Sequence, residues 1–350
     1  MTILFAILLF SLLIFVHELG HFVAAKLSGV QVNEFSMFMG PAIVKWQRGE
    51  TLYAIRTIPI GGYCAMEGED VDTDNPRSFQ KAAWWKRLII LVAGAVMNFI
   101  IGLVLMAVIY MPAKSVTTPV IAEVTPGCTI VSEDGLHVGD RFLEIDGEKI
   151  RMSSDFSLIL SLNPGDVHDV VVERNGSKVV LDNFRMEKHL FPGEETQRYG
   201  FSFGVEELTF SGKLKYTWLE SVNVIRTVRL SLQMLLTGQA GLQDMSGPAG
   251  IVKVMSDTAA SADNTFDAIM NLLYFGGFIA INLAVMNLLP IPALDGGRVV
   301  GLLLISGIEA VTHKKVDSKY EGYIHGAGMI LLLALMAVVT FKDIFVIFKG

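Results

Sequence analysis

The sequence predicts an α-helical membrane protein with four transmembrane helices, a β-rich segment on the cytoplasmic side and a β-rich domain inserted outside the membrane. Three observations predict it: an apolar composition, four hydrophobic stretches of membrane-spanning length and an uneven distribution of Lys and Arg. Of the 350 residues, 52% are hydrophobic and only 18% are charged, whereas soluble domains are about 25% charged. The composition therefore indicates membrane helices combined with soluble segments.

The four hydrophobic stretches are each about 20 residues long, which is enough to cross about 30 Å of hydrocarbon. The first lacks the positive start and the small-residue cleavage site of a signal peptide, so we interpret it as a retained helix. The predicted organisation is transmembrane helix 1 at residues 1–27, a cytoplasmic-side β-hairpin and loop segment at 28–87, transmembrane helix 2 at 88–111, a β-rich domain at 118–206, an amphipathic juxtamembrane segment at 213–265, transmembrane helix 3 with an Asp motif at 266–298, and transmembrane helix 4 at 325–348.

The distribution of Lys and Arg predicts the orientation. None precedes Lys26, whereas segment 26–87 and the connection between the third and fourth helices carry many. Because short cytoplasmic connections are rich in Lys and Arg, both termini and the domain at 118–206 are expected outside the cytoplasm. The predicted location is the inner (plasma) membrane, with a multi-pass chain in the lipid bilayer. A net charge of −7 gives no basic surface, so no nucleic-acid partner is expected.

The domain at 118–206 contains strand-like runs separated by turn sequences such as Asp146-Gly147 and Asn175-Gly176. Downstream, residues 213–236 have an amphipathic helical pattern. This pattern is typical of a helix lying on a membrane surface or of one packed against protein.

The sequence HELGH, from His17 to His21, is the strongest chemical signal. On a helix the two imidazoles share one face and can bind one Zn²⁺, while Glu18 reaches a water whose pKa zinc lowers towards about 7. Glu18 is the only acidic residue among the first 33. Because ionisable side chains inside membrane helices usually mark function, a catalytic site is favoured over a polar packing cluster.

Two histidines leave a catalytic zinc short of one protein ligand. Asp295 is the best candidate, because Pro290 and Pro292 interrupt the helix before it at a depth matching that of the histidines. The alternative is that Asp295 caps the helix that follows. Asn287 lies near the same depth and either stabilises an oxyanion or joins neighbouring helices.

The other histidines carry no such pattern. We expect four of them on the protein surface: His137, His168 and His189 of the external domain and His313 of the last connection. The remaining one, His325, is expected near a membrane interface.

With these residues assembled, the chain resembles the site-2 protease family of intramembrane zinc metalloproteases. HELGH and NLLPIPALDGGR are the two signature sequences, and they occur in the expected order. The resemblance implies that His17, His21 and Asp295 bind Zn²⁺, that Glu18 is the general base for water attacking the peptide carbonyl, and that Asn287 handles substrate.

The resemblance extends to two other segments. The loop with Gly61, Gly62 and Tyr63 matches a membrane-associated re-entrant β-segment that presents an edge strand to substrate. The domain at 118–206 resembles a single extracytoplasmic PDZ module, and Gly200 with Phe201 match its carboxylate loop in a circularly permuted form. Such a domain either captures peptide ends or excludes bulky substrates.

The implied function is regulated intramembrane proteolysis. The similar bacterial proteins cleave transmembrane segments of single-span membrane proteins, of the anti-sigma factor or remnant signal peptide type, after extracytoplasmic trimming. A membrane scaffold with a structural metal is the alternative. A transporter is disfavoured, since the sequence shows no inverted repeats.

Overall fold

The computed structural model describes residues 2–69, 73–132, 135–241, 243–262, 264–313 and 319–349. The chain forms two compact units. The first combines Met1–Ile109 with Val224–Gly350, and the second is Tyr110–Asn223. Each unit is described by itself below.

Helices account for most of the first unit, whereas the second contains an antiparallel sheet. The helices are α1 (Thr2–Ser28), α2 (Trp84–Tyr110), α3 (Ser153–Leu162), α4 (Phe210–Thr237), α5 (Pro248–Ala260), α6 (Thr265–Asn287), α7 (Asp295–Thr312) and α8 (Lys319–Lys349). The strands are β1 (Val32–Arg48), β2 (Thr51–Met66), β3 (Ser115–Val124), β4 (Arg141–Ile145), β5 (Glu148–Lys149), β6 (Val167–Arg174), β7 (Ser177–Arg185) and β8 (Phe201–Glu207).

In the described part of the chain, four helices are long and apolar enough to cross a membrane, as the sequence predicts. These candidate spans have 25, 27, 23 and 25 residues. At 1.5 Å per residue, each exceeds the roughly 30 Å of a hydrocarbon core. They are Leu4–Ser28, Trp84–Tyr110, Thr265–Asn287 and Gly322–Val346.

Small residues let α1, α2 and α6 pack closely. A methyl group added at Gly102 of α2 would lie 2.5 Å from the Ile281 side chain of α6. One added at Gly276 of α6 would lie 3.1 Å from Leu9 of α1. Glycine at helix interfaces is typical of membrane proteins, where association depends on close van der Waals contact.

The strands β1 and β2 form an irregular antiparallel hairpin with several register shifts. Phe35 of β1 is partnered by both Tyr53 and Cys64 of β2, so both ends of β2 lie beside the first half of β1. The Glu50 carboxylate in the turn accepts hydrogen bonds from Arg77 and from Lys26, which lies near the end of α1. These hydrogen bonds lower the pKa of the Glu50 carboxyl to about 2. The hairpin is therefore anchored to the end of α1.

The chain leaves its helical path between α6 and α7, where Pro290 and Pro292 cannot continue a helix. A methyl group added at Gly328 of α8 would lie 2.3 Å from Pro292, so α8 packs directly on this loop. Farther along α8, the Asp343 carboxylate accepts hydrogen bonds from the N–H groups of Gly247 and Gly250 at the start of α5. Carboxylates favour such helix N-termini.

The second unit is built on an antiparallel sheet of strand order β7-β6-β4-β3-β8, with β5 paired to β4. Phe142 of β4 and Phe156 of α3 are buried in its core. Their rings lie 5.0 Å apart and contact Phe201 and Phe203 of β8. Within the described residues, strand β8 pairs only with β3, so it is an edge strand of the sheet.

One histidine of this unit differs from expectation. His168 is buried rather than exposed. Its Nδ1 lies 2.8 Å from the Asp146 carboxylate, and its Nε2 lies 2.8 Å from the Gly165 carbonyl oxygen. The surface prediction was wrong because these partners satisfy both ring nitrogens without water.

A buried ion pair stabilises the same sheet. The fully buried Asp140 carboxylate accepts hydrogen bonds from Arg174 and from the N–H of His137. Burial alone raises the pKa of Asp140, but these bonds outweigh it and the pKa is lowered. The pair therefore stabilises the unit above the unfolded pKa of about 3.9, and this contribution is lost as the pH falls towards the folded value.

We predict that Arg174→Ala destabilises the second unit by about 3 kcal/mol at pH 7, because Asp140 is left buried and unpaired. Hydrogen exchange of the β4 and β6 amides in the full chain measures the loss. Arg185→Ala is the control, since its pair with Glu187 is exposed and worth less than about 1 kcal/mol. Equal effects of the two variants would contradict this account.

Candidate metal centre in the membrane

Helix α1 positions the residues of HELGH in the cytoplasmic half predicted for the first span. His17 and His21 are four residues apart, so their side chains lie on the same face. Their ring centroids are 4.7 Å apart and their planes are nearly perpendicular. His21 is buried, and His17 and Glu18 are partly buried.

Asp295 is the first residue of α7, and its carboxylate meets both imidazoles. Asp295 Oδ2 lies 3.2 Å from His17 Nε2 and 3.4 Å from His21 Nε2, and the two Nε2 atoms are 3.1 Å apart. The N-cap position of α7 is occupied by Leu294, and Asp295 follows it as the first helical residue. The Asp295 Oδ2 atom faces the two imidazoles and accepts no hydrogen bond from the described backbone of α7.

The donor set fits a zinc ion. Ligand atoms about 2.0–2.1 Å from a tetrahedral zinc are about 3.3 Å apart, close to the three distances of this triangle. Asp295 Oδ2 is buried and, among the described residues, accepts no hydrogen bond. Two imidazole nitrogens and one carboxylate oxygen are the ligands typical of catalytic zinc. His17, His21 and Asp295 could thus hold the metal.

Helix α2 supports the imidazoles from one side. His21 Nδ1 lies 2.8 Å from the carbonyl oxygen of Ile90, which fixes the ring orientation. A methyl group added at Gly94 would lie 2.4 Å from His21 Nε2 and 2.7 Å from His17 Cε1. Glycine at position 94 is therefore required by the space that the two rings occupy.

The β-hairpin approaches Glu18. A methyl group added at Gly62 would lie 3.6 Å from Glu18 Cγ, so the backbone there is close to the carboxylate side chain. Gly61 has a positive φ of 80°, which favours glycine, and Tyr63 is paired with Ser36 of β1. Among the described residues, no third strand pairs with this hairpin. Its edges are therefore free of strand partners in that part of the chain.

The loop and helix that carry Asp295 are held from two sides. The N–H of Ala293, which has a positive φ of 80°, donates to His325 Nδ1 of α8 at 3.1 Å. One turn after Asp295, Arg298 pairs with Glu69, which follows the hairpin. These contacts fix where the aspartate lies relative to the hairpin.

Comparisons with known proteins identify the family of the chain. A model of peptidase family M50 matches residues 5–335. The chain belongs to this family. It is 38% identical to a provisionally named zinc metalloprotease of Clostridium acetobutylicum, over 98% of this chain and 97% of that protein. It is 29% identical to the zinc metalloprotease RasP of Geobacillus kaustophilus, over 98% and 97% of the two chains.

A third relative is the regulator of sigma-W protease RasP of Bacillus subtilis, which is 28% identical over 98% of both chains. Family M50 is the site-2 protease family that the two sequence motifs resemble. The chain is therefore a zinc metalloprotease of a multi-pass membrane type.

The structure brings most of the predicted site residues together. Asn287, the last residue of α6, has its Nδ2 3.4 Å from His17 Nδ1. Gly200 and Phe201 belong to the second unit, where Gly200 has a φ of 81° just before β8.

Two residues of α2 were missed from the sequence. Gly94 has no sequence signal of its own, since its role comes only from contact with α1. Asn98 has one: it is the only amide side chain in an otherwise apolar span, and it lies 3.4 Å from His17 Nδ1. A buried polar residue in a membrane helix, like a charged one, often marks a functional position.

We predict that Gly94→Ala lowers zinc affinity at least about tenfold, because the methyl group displaces both imidazoles. Zinc content and chelator competition of the purified full chain measure the effect. Gly307→Ala is the matched control, since a methyl group there meets nothing within 4 Å and helical stability does not suffer. Unchanged zinc affinity in Gly94→Ala would contradict the packing argument.

Proposed function

We propose that this zinc metalloprotease is an intramembrane endopeptidase that cleaves the transmembrane segments of single-span membrane proteins. The observation that carries the proposal is the convergence of His17, His21 and Asp295 beside Glu18, on helices of membrane-spanning length and their connections. A hydrolytic centre at this place meets substrate inside the bilayer rather than in solution.

In this proposal His17, His21 and Asp295 are the zinc ligands. Bound zinc supplies Lewis-acid chemistry, which makes water acidic near pH 7 and polarises a carbonyl group. Among the described residues the ligand group has three members. Structural zinc sites are usually closed by four protein ligands, so three favour a catalytic site over the scaffold alternative.

Glu18 is proposed as the general base. Its carboxylate oxygen accepts the proton of the attacking water and then delivers it to the leaving amine. The residue is adjacent in sequence to one ligand and lies on the side of α1 that the hairpin approaches. Asn287 is proposed to donate its amide N–H to the substrate carbonyl oxygen, where negative charge develops.

The hairpin segment with Gly61, Gly62 and Tyr63 is proposed to bind substrate. A transmembrane helix has its amides bonded internally, so cleavage requires local unwinding. Pairing of the opened segment with a free strand edge would hold it extended. The nearness of Gly62 to Glu18 supports this, since a strand on that edge lies beside the proposed base.

The second unit is proposed to act as a PDZ-like module outside the cytoplasm. Its edge strand β8 follows Gly200, and Phe201 begins the strand, as expected for a loop that receives a peptide carboxylate. Strand addition at β8 would capture a peptide end left by an earlier cleavage. A domain that only excludes bulky substrates needs no such edge.

The proposed orientation places both termini outside the cytoplasm and the metal centre near the cytoplasmic side of the inner membrane. The name of the Bacillus subtilis relative, regulator of sigma-W protease, supports substrates of the anti-sigma factor type. Remnant signal peptides offer the same chemistry, a single apolar helix whose external part has been removed.

We predict that Glu18→Gln binds zinc normally but cleaves a single-span substrate about 10²–10⁴-fold more slowly, since the glutamine cannot accept a proton. Cleavage in detergent and zinc content are measured on the same preparation. Glu173→Gln, at an exposed position of β6 in the interior of the sheet, is the control for loss of one carboxylate. Wild-type cleavage by Glu18→Gln would exclude this residue as the base.

We predict that the full chain binds an apolar peptide with a free C-terminal carboxylate more tightly than the same peptide with an amidated end. The reason is that backbone N–H groups of a PDZ-type loop neutralise the carboxylate. Fluorescence anisotropy measures both affinities. Equal binding, or none, would favour the size-exclusion role.

A further inference from the structure

The two nitrogens of the His17 ring face different surroundings. On one side, Nε2 lies 3.1 Å from His21 Nε2 and 3.2 Å from Asp295 Oδ2. On the other side, Nδ1 lies 3.4 Å from the amide nitrogens of both Asn98 and Asn287. The ring therefore presents Nε2 to the metal centre and Nδ1 to two asparagines.

The proton of His17 must then sit on Nδ1. An imidazole nitrogen that binds a metal is unprotonated, so the neutral ring carries its proton on the other nitrogen. An N–H group donates and cannot accept. Two amide NH₂ groups facing it offer only donors, so at least one of the amides must present its oxygen instead.

Asn98 is the amide whose rotation resolves this conflict. Its side chain is almost fully buried, and its Oδ1 is a buried atom without a hydrogen-bond partner. A half-turn about the Cβ–Cγ bond exchanges Oδ1 with Nδ2 and moves no other group. It pairs the orphaned oxygen with the Nδ1–H of His17, while Nδ2 takes the place in which Oδ1 had no partner among the described residues.

Among the described residues, the Asn287 oxygen does not belong to the buried atoms that lack a partner. Rotation of Asn287 is therefore not required. This difference separates the two asparagines, although their nitrogens lie at the same distance from His17.

The position of Asn98 on α2 fits the same role. Ile90, Gly94 and Asn98 follow one another at intervals of four residues, so they lie on one face of the helix. The Ile90 carbonyl oxygen is 2.8 Å from His21 Nδ1, and Gly94 leaves room for both rings. One face of α2 thus meets the outer nitrogen of each imidazole.

We propose that Asn98 is a positioning residue for the metal centre: its amide oxygen accepts the Nδ1–H of His17 and fixes the tautomer that presents Nε2 to zinc. Asn287 is thereby left free to direct its N–H groups to the substrate carbonyl. This inference rests on the proposed zinc ligands. Partners that orient a ligating histidine typically contribute about 10–100-fold to metal affinity.

The experiment measures zinc affinity of the full chain in detergent micelles by competition with a chromophoric chelator. Asn98→Leu removes the acceptor at similar volume, and Asn98→Asp keeps an acceptor oxygen at the same reach. Asn282→Leu is the matched control, because no described hydrogen bond joins Asn282 of α6 to His17. His17→Ala tests the underlying site.

Asn98→Leu is expected to bind zinc about 10–100-fold more weakly, while Asn98→Asp and Asn282→Leu bind it as the wild type does. Asn287→Leu is expected to keep its zinc affinity and lose cleavage. The thermal stability of the zinc-free protein is expected to be unchanged or higher in Asn98→Leu, because an apolar residue replaces a poorly satisfied polar one. A purely structural role would instead lower it.

Two results would overturn the proposal while the zinc site stands. In one, His17→Ala loses zinc but Asn98→Leu binds it normally. In the other, Asn98→Asp loses as much affinity as Asn98→Leu, which would mean that the amide N–H matters rather than the oxygen. If His17→Ala itself kept full affinity, the proposed ligand set would be wrong, and the role of Asn98 would fail with it.

Discussion

The close approach of α1 and α2 is the constraint on which the first unit depends. A methyl group added at Gly20 of α1 would lie 2.5 Å from the Ala93 carbonyl oxygen of α2, and one at Gly94 would meet both imidazoles. Without a hydrophobic driving force between helices in lipid, such contact comes from small residues and polar pairing. The distance between the two helices determines how far the histidine side chains are buried between them. It also determines which atoms of α2 are close enough to orient the rings.

The metal centre concentrates polar groups where the surroundings are apolar. A carboxylate at such a depth is unfavourable unless it is paired, and removal from water strengthens each interaction that remains. Asp295 meets two imidazoles, and His21 finds its second partner in a backbone carbonyl of α2. The same low dielectric that makes an unpaired charge costly makes this arrangement specific for a cation.

The centre is connected to α8 and to the hairpin that is proposed to bind substrate. Gly62 in the hairpin lies beside Glu18, and the pair of Arg298 with Glu69 ties the aspartate helix to the end of the same hairpin. His325 holds the loop before Asp295 from α8. A displacement of the hairpin or of α8 therefore changes the position of a proposed zinc ligand.

The sequence by itself determined the four spans and the two motifs. Hydropathy is a property of each residue by itself, so a run of apolar residues is enough to predict a span in lipid. The HELGH spacing places two imidazoles on one face of a helix. Only the tertiary structure decided that Asp295 meets them, that Gly94 leaves them room and that Asn98 faces His17. Those relations join residues far apart in the chain, and a contact between distant residues depends on how helices pack rather than on any local pattern.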